Sequence, residues 1–562
     1  MKFLKRSING AKCVASFTIL MLLTLFSSCS KNTNSADTIV FNANVWTGDE
    51  NQKTAQAFAI KGDEILDVGT DEAMQQYKGS NTKMIDAEGK FITPGFIDAH
   101  MHLMRSGEML LNVQLRDAKS PEEFTQRIAD FSKTIDAETW ITGGSWDQTQ
   151  WGGEMPRKDW IDGVTPNKPV VVMRMDGHML LANSAALKIA GVDKNTADIA
   201  GGEIIRDANG EPTGLLKDNA MNLLLDIIPA WSEKRKHEIL KAASQHLLEN
   251  GVTSVTDMEG LNPSFQSYET ADQLRTANEL NIRIYEGAAL GDFAKVNKAD
   301  YKNDKWVKFG LVKGFVDGSL GSRTAAFKDD YSDAPGNKGM FINTDEDLYN
   351  WISGADKKDL QVTVHAIGDA AIEKLLNIFE RVEKENGKKD RRFRMEHVQH
   401  IDPKDVKRFA ELGVVASMQP YHAADDGRWA EALIGPERTK MTYAIKSLFD
   451  ANAKVAFGSD WFVAPPSVML GIHAAVNRET LDGKNPNGWV PEQKITVEQA
   501  LIGYTRNAAY ASFDESIKGT LKKGMLADFV ILSDDLIKID PKKINQVQVM
   551  KTFVGGKEVY SR

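Results

Sequence analysis

Between residues 91 and 460, short apolar runs alternate with stretches of helical periodicity, and this alternation constrains the fold more than any other feature. The runs are FITPGFID from Phe91, VTSVTDM from Val252, IRIYEGA from Ile282 and LVKGFVDG from Leu311. Then come QVTVHAIGD from Gln361, FRMEHVQH from Phe393, VVASMQP from Val414 and KVAFGSDW from Lys454. Between several of them lie amphipathic stretches such as DAAIEKLLNIFERVEKENG and DPKDVKRFAELG, with Gly387 and Gly413 where helix C-terminal stops belong. Strands alternating with helices in this number predict an α/β fold, a (β/α)₈ TIM barrel.

Two regions depart from the alternation. Residues 106 to about 245 separate the first and second strands. They hold their own helix start, Ser120-Pro121-Glu122-Glu123, and an apolar strand, PVVVMRM. An insertion after the first barrel strand would lie at the C-terminal face, where barrel active sites are built. The chain ends are β-rich: TIVFNANVWTG, AFAIKGDEILDVG with a Gly-Asp turn, and MIDAEGKFITPG at one end, GTLKKGMLADFVILS and VQVMKTFVGGKEVYSR at the other. The expected organisation is a composite β domain from residues 38–93 and 515–562 around a barrel spanning 94–514.

The N-terminus reads as an export signal. Lys2, Lys5, Arg6 and Lys12 precede an apolar segment too short to span a bilayer. Phe26-Ser27-Ser28-Cys29 resembles a bacterial lipobox, which makes residues 1–28 a lipoprotein signal peptide, Cys29 the lipidated first residue and 29–37 a tether. The other reading is a non-lipidated signal or a short anchor. The expectation is an exported, lipid-anchored protein of the bacterial cell envelope, on the periplasmic or cell-surface side. Cys13 and Cys29 are the only cysteines, so no disulfide framework forms despite export. A net charge of −9 argues against nucleic acid as the main partner. Membrane contact would come only through the lipid, and an oligomer is compatible with the sequence.

In TPGFIDAHMHL, His100 and His102 stand two apart, so on a strand both imidazoles project to one side. Such a pair can grip a borderline metal ion; two unrelated loop histidines are the plain alternative. The proposed strand ends supply more candidates: Lys313, His365, His397 and Asp460. In a parallel barrel these ends converge on one mouth.

The stretches PGFIDAHMH, GFVDGSLGSRTAAF, VHAIGDAAI, MEHVQH, SMQP, FGSDW and GMLADFVIL resemble the amidohydrolase superfamily. The resemblance is to the branch of exoenzyme-regulatory and N-substituted formamide deformylase proteins, amidohydrolase family 3, and covers almost all of the chain after the tether. It implies a distorted barrel with a small β-sandwich from both ends. It also implies two divalent metal ions, Zn or else Mn or Co. His100, His102 and Asp460 would hold one; His365 and His397 would hold the other. Lys313 would bridge them as a CO₂-derived carbamate. An unmodified buried lysine, pairing with Asp317, is the other reading of Lys313. Asp460 would shuttle the proton between the attacking water and the leaving nitrogen of a small amide-type substrate.

The resemblance places His178, on the insertion, over the mouth against substrate or an oxyanion; a hydrogen bond to Asp176 is the rival. Arg323, Trp461 and Asp317 are candidates for substrate contact, with loop tying or core packing as alternatives. His400 faces away from His397, His422 could reach the mouth without a motif behind it, and His237, His246 and His473 read as ordinary. The leading function is hydrolysis of a non-peptide C–N bond, amide or formamide. An inactive binding lipoprotein on the same barrel is the second, and a metal-dependent esterase or isomerase the third.

Overall fold

The computed structural model describes residues 35–136, 139–175, 177–259 and 265–562. The signal segment, Cys29 and the tether up to residue 34 lie outside these, as does Asp176. Among the described residues no helix is long and apolar enough to cross a membrane.

Eight parallel strands make the central sheet: β1 (Phe96–Met101), β2 (Val252–Asp257), β3 (Arg283–Ala289), β4 (Val307–Phe315), β5 (Gln361–Ala366), β6 (Arg394–His397), β7 (Val415–Met418) and β8 (Lys454–Phe457). They pair in chain order from β1 to β8. The seam from β8 back to β1 is closed just past the strand end. There the Ser459 amide donates to Asp98 Oδ1 at 3.0 Å and the Asp460 amide to the His100 carbonyl at 2.7 Å. Gly458 permits this approach, since a Cβ there would sit 2.5 Å from the His100 nitrogen.

The run read as one strand from Phe91 is two. Phe91–Pro94 belongs to a terminal sheet and β1 begins at Phe96. Gly95 is the hinge between them, because a Cβ there would lie 2.3 Å from Thr253 Oγ1. The two chain ends meet in this terminal sheet, where Phe529–Leu532 pairs antiparallel with Phe91–Pro94. A second sheet, holding Thr38–Phe41, Ala57–Lys61, Glu64–Gly69 and Lys83–Asp86, packs on it. Val40, Phe58, Ile92, Phe529 and Phe553 are buried between the two, with Phe58 and Phe529 edge-to-face at 4.9 Å. The Gly62 and Gly555-Gly556 turns have positive φ, the backbone that tight hairpins need. Arg283 of β3 ties the barrel to this sandwich: its Nε and Nη2 donate to Asp528 at 2.6 and 2.8 Å, fully buried.

The insertion is shorter than the sequence suggests. Helix α1 (Leu103–Leu111) follows β1 directly, and α2 (Glu233–Glu249) leads into β2. The two helices pack together, with Gly107 so close to the Ile239 carbonyl that a Cβ would lie 2.5 Å away. Ile239, Leu240, Ala243 and Leu247 of α2 are buried in the main core. The excursion therefore runs between Leu111 and Glu233. It carries a four-stranded antiparallel sheet containing Val171–Met173 and Met179–Ala182, and the helix Pro121–Ser132 capped by Ser120.

Candidate metal centre

The strand ends deliver a buried cluster of imidazoles around one carboxylate. His100 and His102 leave β1 on the same side, as period-2 alternation requires. Their Nε2 atoms stand 3.4 and 3.2 Å from Asp460 Oδ1. His397 brings its ring centroid to 4.9 Å from that of His100, and His365 lies 4.5 Å beyond His397. Two sets of donor atoms fall within 4.8 Å of one another: His100, His102 and Asp460; and His397, His422 and Asp460.

Two of the histidines are hydrogen-bonded from behind through Nδ1, and a third faces a carboxylate there without a hydrogen bond. His100 Nδ1 is 2.6 Å from Glu396 Oε2, and His397 Nδ1 is 2.9 Å from Gln419 Oε1. His102 Nδ1 is 3.2 Å from Glu259 Oε1. An ionised carboxylate or an amide oxygen only accepts, so His100 and His397 carry their proton on Nδ1 and leave Nε2 as a lone-pair donor. Glu396 is in turn gripped by Arg394 Nε at 2.9 Å and by Thr363 Oγ1. Such carboxylate–histidine pairs orient metal-binding imidazoles and raise their basicity.

The electrostatics suit a cation. Burial opposes ionisation of Asp460, but His100 and His102 hold it well below the usual carboxylate range. Glu396 is likewise held low against burial, by Arg394 and His100. Burial, then His365 and His100, push His397 well below its ordinary value, and burial with Lys313 brings His365 to about 3. These imidazoles are neutral, the form that binds metal. His102 differs: burial is outweighed by Asp460 and Glu259, which raise it to about 9. The buried Nε2 atoms of His100 and His422 have no hydrogen-bond partner among the described residues. Leaving such atoms unpaired costs about 1–3 kcal/mol each. Imidazoles and a carboxylate with orphaned lone pairs fit a borderline divalent metal such as Zn, Mn or Co.

The backbone is strained where the ligands turn inward. Asp460 has φ +58°, His397 +75° and Val398 +48°, all in the left-handed region that L residues avoid. A β-branched valine there is an outlier of the kind that clusters at functional sites. On β6, Arg394 and Glu396 share the inner face, so strict alternation would turn His397 outward; its left-handed φ brings it back in.

Other candidates take different places. Lys313 is fully buried on β4, its Nζ 5.2 Å from the Phe315 ring centroid, and burial pulls it down to about 8. His365 Nε2 faces the Gly318 carbonyl at 3.0 Å rather than the two donor sets. Asp317 is not a substrate contact. It accepts the Ala326, Ile367 and Gly368 amides at 2.8, 3.0 and 2.9 Å, pinning the loops after β4 and β5. Burial lifts its pKa to about 7. Arg323 ties down its own loop, Nε standing 3.1 Å from both Asp333 oxygens. Trp461 is buried with its ring 5.1 Å from His246 of α2, because the left-handed Asp460 sends the next side chain outward. Phe462 takes the position beside His102, at 5.5 Å between centroids. His178 is exposed, with Nδ1 3.0 Å from Asp218 Oδ1, and stands outside the buried cluster. His400 hydrogen-bonds Thr442 Oγ1 at 2.9 Å, away from the cluster.

Sequence reading missed Glu396, Glu259, Gln419 and Arg105. Arg105 Nε is 3.1 Å from Glu259 Oε1, its guanidinium between the Phe265 and Phe462 rings at 4.9 and 5.0 Å. Glu396 and Gln419 lie inside MEHVQH and SMQP, so the motifs held the signal without the role. Glu396→Gln should weaken metal affinity or turnover about 10–100-fold, as loss of such a partner does. Chelator competition at fixed pH checks this, and unchanged affinity would remove Glu396 from the orienting role.

Comparison with known proteins follows the same line. A family model described as "Amidohydrolase family" matches residues 83–560. Protein LONG AFTER FAR-RED 3 of Arabidopsis thaliana is 39% identical over 542 residues, covering 93% of this chain and 92% of that protein. N-substituted formamide deformylase of Arthrobacter pascens is 27% identical over 549 residues, covering 94% of this chain and 99% of that enzyme. A solved structure, an uncharacterized metal-dependent hydrolase from Pyrococcus furiosus, matches with a TM-score of 0.75 at 27% identity. It covers 89% of this chain and 100% of its own.

Proposed function

Because this chain belongs to the amidohydrolase family and is a metal-dependent hydrolase of it, we propose that it cleaves a non-peptide C–N bond of amide or formamide type in a small molecule. The observation that carries the reading is the convergence of His100 and His102 Nε2 on Asp460 Oδ1, with His100 Nε2 buried and unpaired. Likeness to a formamide deformylase along nearly its whole length supports the C–N bond over others.

His100, His102 and Asp460 would hold one divalent metal, which would supply acidified water and a polarised carbonyl, with His397 placed for a second ion. Glu396 and Gln419 keep His100 and His397 in the tautomer that leaves Nε2 free. Asp460, kept ionised, takes a proton from the attacking water on a carboxylate oxygen and returns it to the leaving nitrogen. Lys313 would supply a carbamate ligand for a second ion. It is buried beside the cluster, and its lowered pKa populates the neutral amine that can add CO₂. A panel of N-substituted formamides, N-acyl amides and shape-matched esters, offered to the Zn- or Mn-loaded protein, tests the bond. Turnover of formamides or amides above the esters is expected; turnover of esters alone would sink the C–N assignment.

The N-terminal apolar segment and the Ser28-Cys29 junction support export and lipid anchoring at the cell envelope. Cys29→Ala should then move the protein from the membrane pellet to the soluble fraction, and unchanged partitioning would count against the anchor.

A further inference from the structure

We propose that His422 is a metal ligand: with His397 and Asp460 it forms a second cation position that shares Asp460 with the position at His100 and His102. The inference rests on the metal-hydrolase reading and deepens it. The two motif residues expected to join His397 at a second ion are Lys313 and His365, and His422 belongs to neither.

Three observations carry it. The donor atoms of His397, His422 and Asp460 all lie within 4.8 Å of one another, and all three residues are buried. His422 Nε2 is fully enclosed and has no hydrogen-bond partner among the described residues. A buried imidazole kept for packing alone would leave that nitrogen unsatisfied at a cost that a neighbouring polar group could have relieved. His400 is the internal comparison. Its Nε2 is likewise buried without a partner, but its Nδ1 is tied to Thr442, its ring faces Phe327 and Tyr443, and no carboxylate or second imidazole joins it in a donor set, so the convergence on His397 and Asp460 is what sets His422 apart.

The third observation is how the segment after β7 is built. Pro420 opens a helix, Pro420–Asp426, and Gln419 precedes it as the cap residue. The His422 amide donates to the Gln419 carbonyl at 3.1 Å. Gln419 Oε1 meanwhile holds His397 Nδ1 at 2.9 Å. One turn thus orients one ligand and supplies the next. Two imidazoles and one carboxylate are the three-ligand set of a catalytic site that keeps a position open for water or substrate. His365, by contrast, has Nε2 committed to the Gly318 carbonyl. The ion is of the borderline class that imidazole and carboxylate share: Zn, Mn or Co.

The test is titration of the full chain with Zn and with Co, by metal analysis and by the visible absorption of bound Co, in parallel with His422→Ala, His422→Gln and His400→Ala. The wild-type protein should bind two ions. His422→Ala and His422→Gln should keep the first and lose the second, or bind it at least about tenfold more weakly, with a changed Co spectrum. His400→Ala should retain both. Gln keeps the bulk of the side chain, so its result stands if the Ala variant fails to fold. A second step unchanged in both His422 variants would overturn the proposal while leaving the hydrolase reading intact. A wild-type chain that binds a single ion would overturn the second position, and one that binds none would overturn the metal reading as well.

Discussion

Asp460→Asn should lower kcat by a factor on the order of 10²–10⁴ while the protein stays folded, as loss of a positioned general acid–base does. The substitution is chosen on backbone grounds. Asp460 sits at φ +58°, where Asn is among the few side chains that are tolerated, so the turn after β8 keeps its shape. The hydrogen bond its backbone N–H donates to the His100 carbonyl is untouched by the change. What is lost is the negative charge that faces His100 and His102 and that both donor sets share. An Asn amide cannot take a proton from water at neutral pH, and it is a poorer ligand than a carboxylate. Steady-state kinetics together with a thermal melt separate the two effects. Wild-type kcat would remove Asp460 from proton transfer, and a melt lowered by many degrees would mean that the residue carries the fold as well.

Asp528→Ala should destabilise the protein by about 3–5 kcal/mol, the cost of breaking a buried ion pair from one side. Arg283 loses both acceptors of its paired Nε and Nη2, and keeps only the Lys305 carbonyl on Nη1 and the face of Trp306 at 4.5 Å. The Gly555 amide loses its acceptor too, since Asp528 Oδ1 receives it at 2.7 Å. The damage falls at the joint between β3 and the terminal sandwich, so denaturant melts should show a lower midpoint and reduced cooperativity. The double variant Arg283→Met with Asp528→Leu should recover much of the loss, because two apolar side chains remove the stranded charge. A single Asp528→Ala variant as stable as wild type would show that the pair contributes nothing net.

Much of the centre was legible because strand periodicity and strand ends place residues without reference to the rest of the chain. His100 and His102 alternate onto one side of β1; Lys313 and His365 follow the same rule on β4 and β5, yet neither falls in a donor set. His397 was read from its strand end, but alternation alone would turn it outward. Glu396 owns the inward register of β6, and His397 reaches the cluster through a left-handed φ that no local propensity favours. The same device at Asp460 exchanges Trp461 for Phe462 beside His102. For Arg323 and Asp317 the sequence left substrate contact and loop tying open; the partners they take, Asp333 and three backbone amides, lie in segments that only folding brings alongside.

By itself the sequence determined the barrel, the sandwich joining the two chain ends, and the residue types of a metal centre. Those follow from short-range alternation of apolar and polar positions and from glycines that permit close approach. Only the tertiary structure decided which nitrogen of each histidine is free, that His422 enters the cluster and that His365 turns its Nε2 to a carbonyl. Those outcomes depend on hydrogen-bond partners supplied by other strands, such as Glu396 for His100, 296 residues away along the chain. No pattern within a window of sequence contains them, because the energy that selects them arises when strands distant in the chain bury their polar ends against one another.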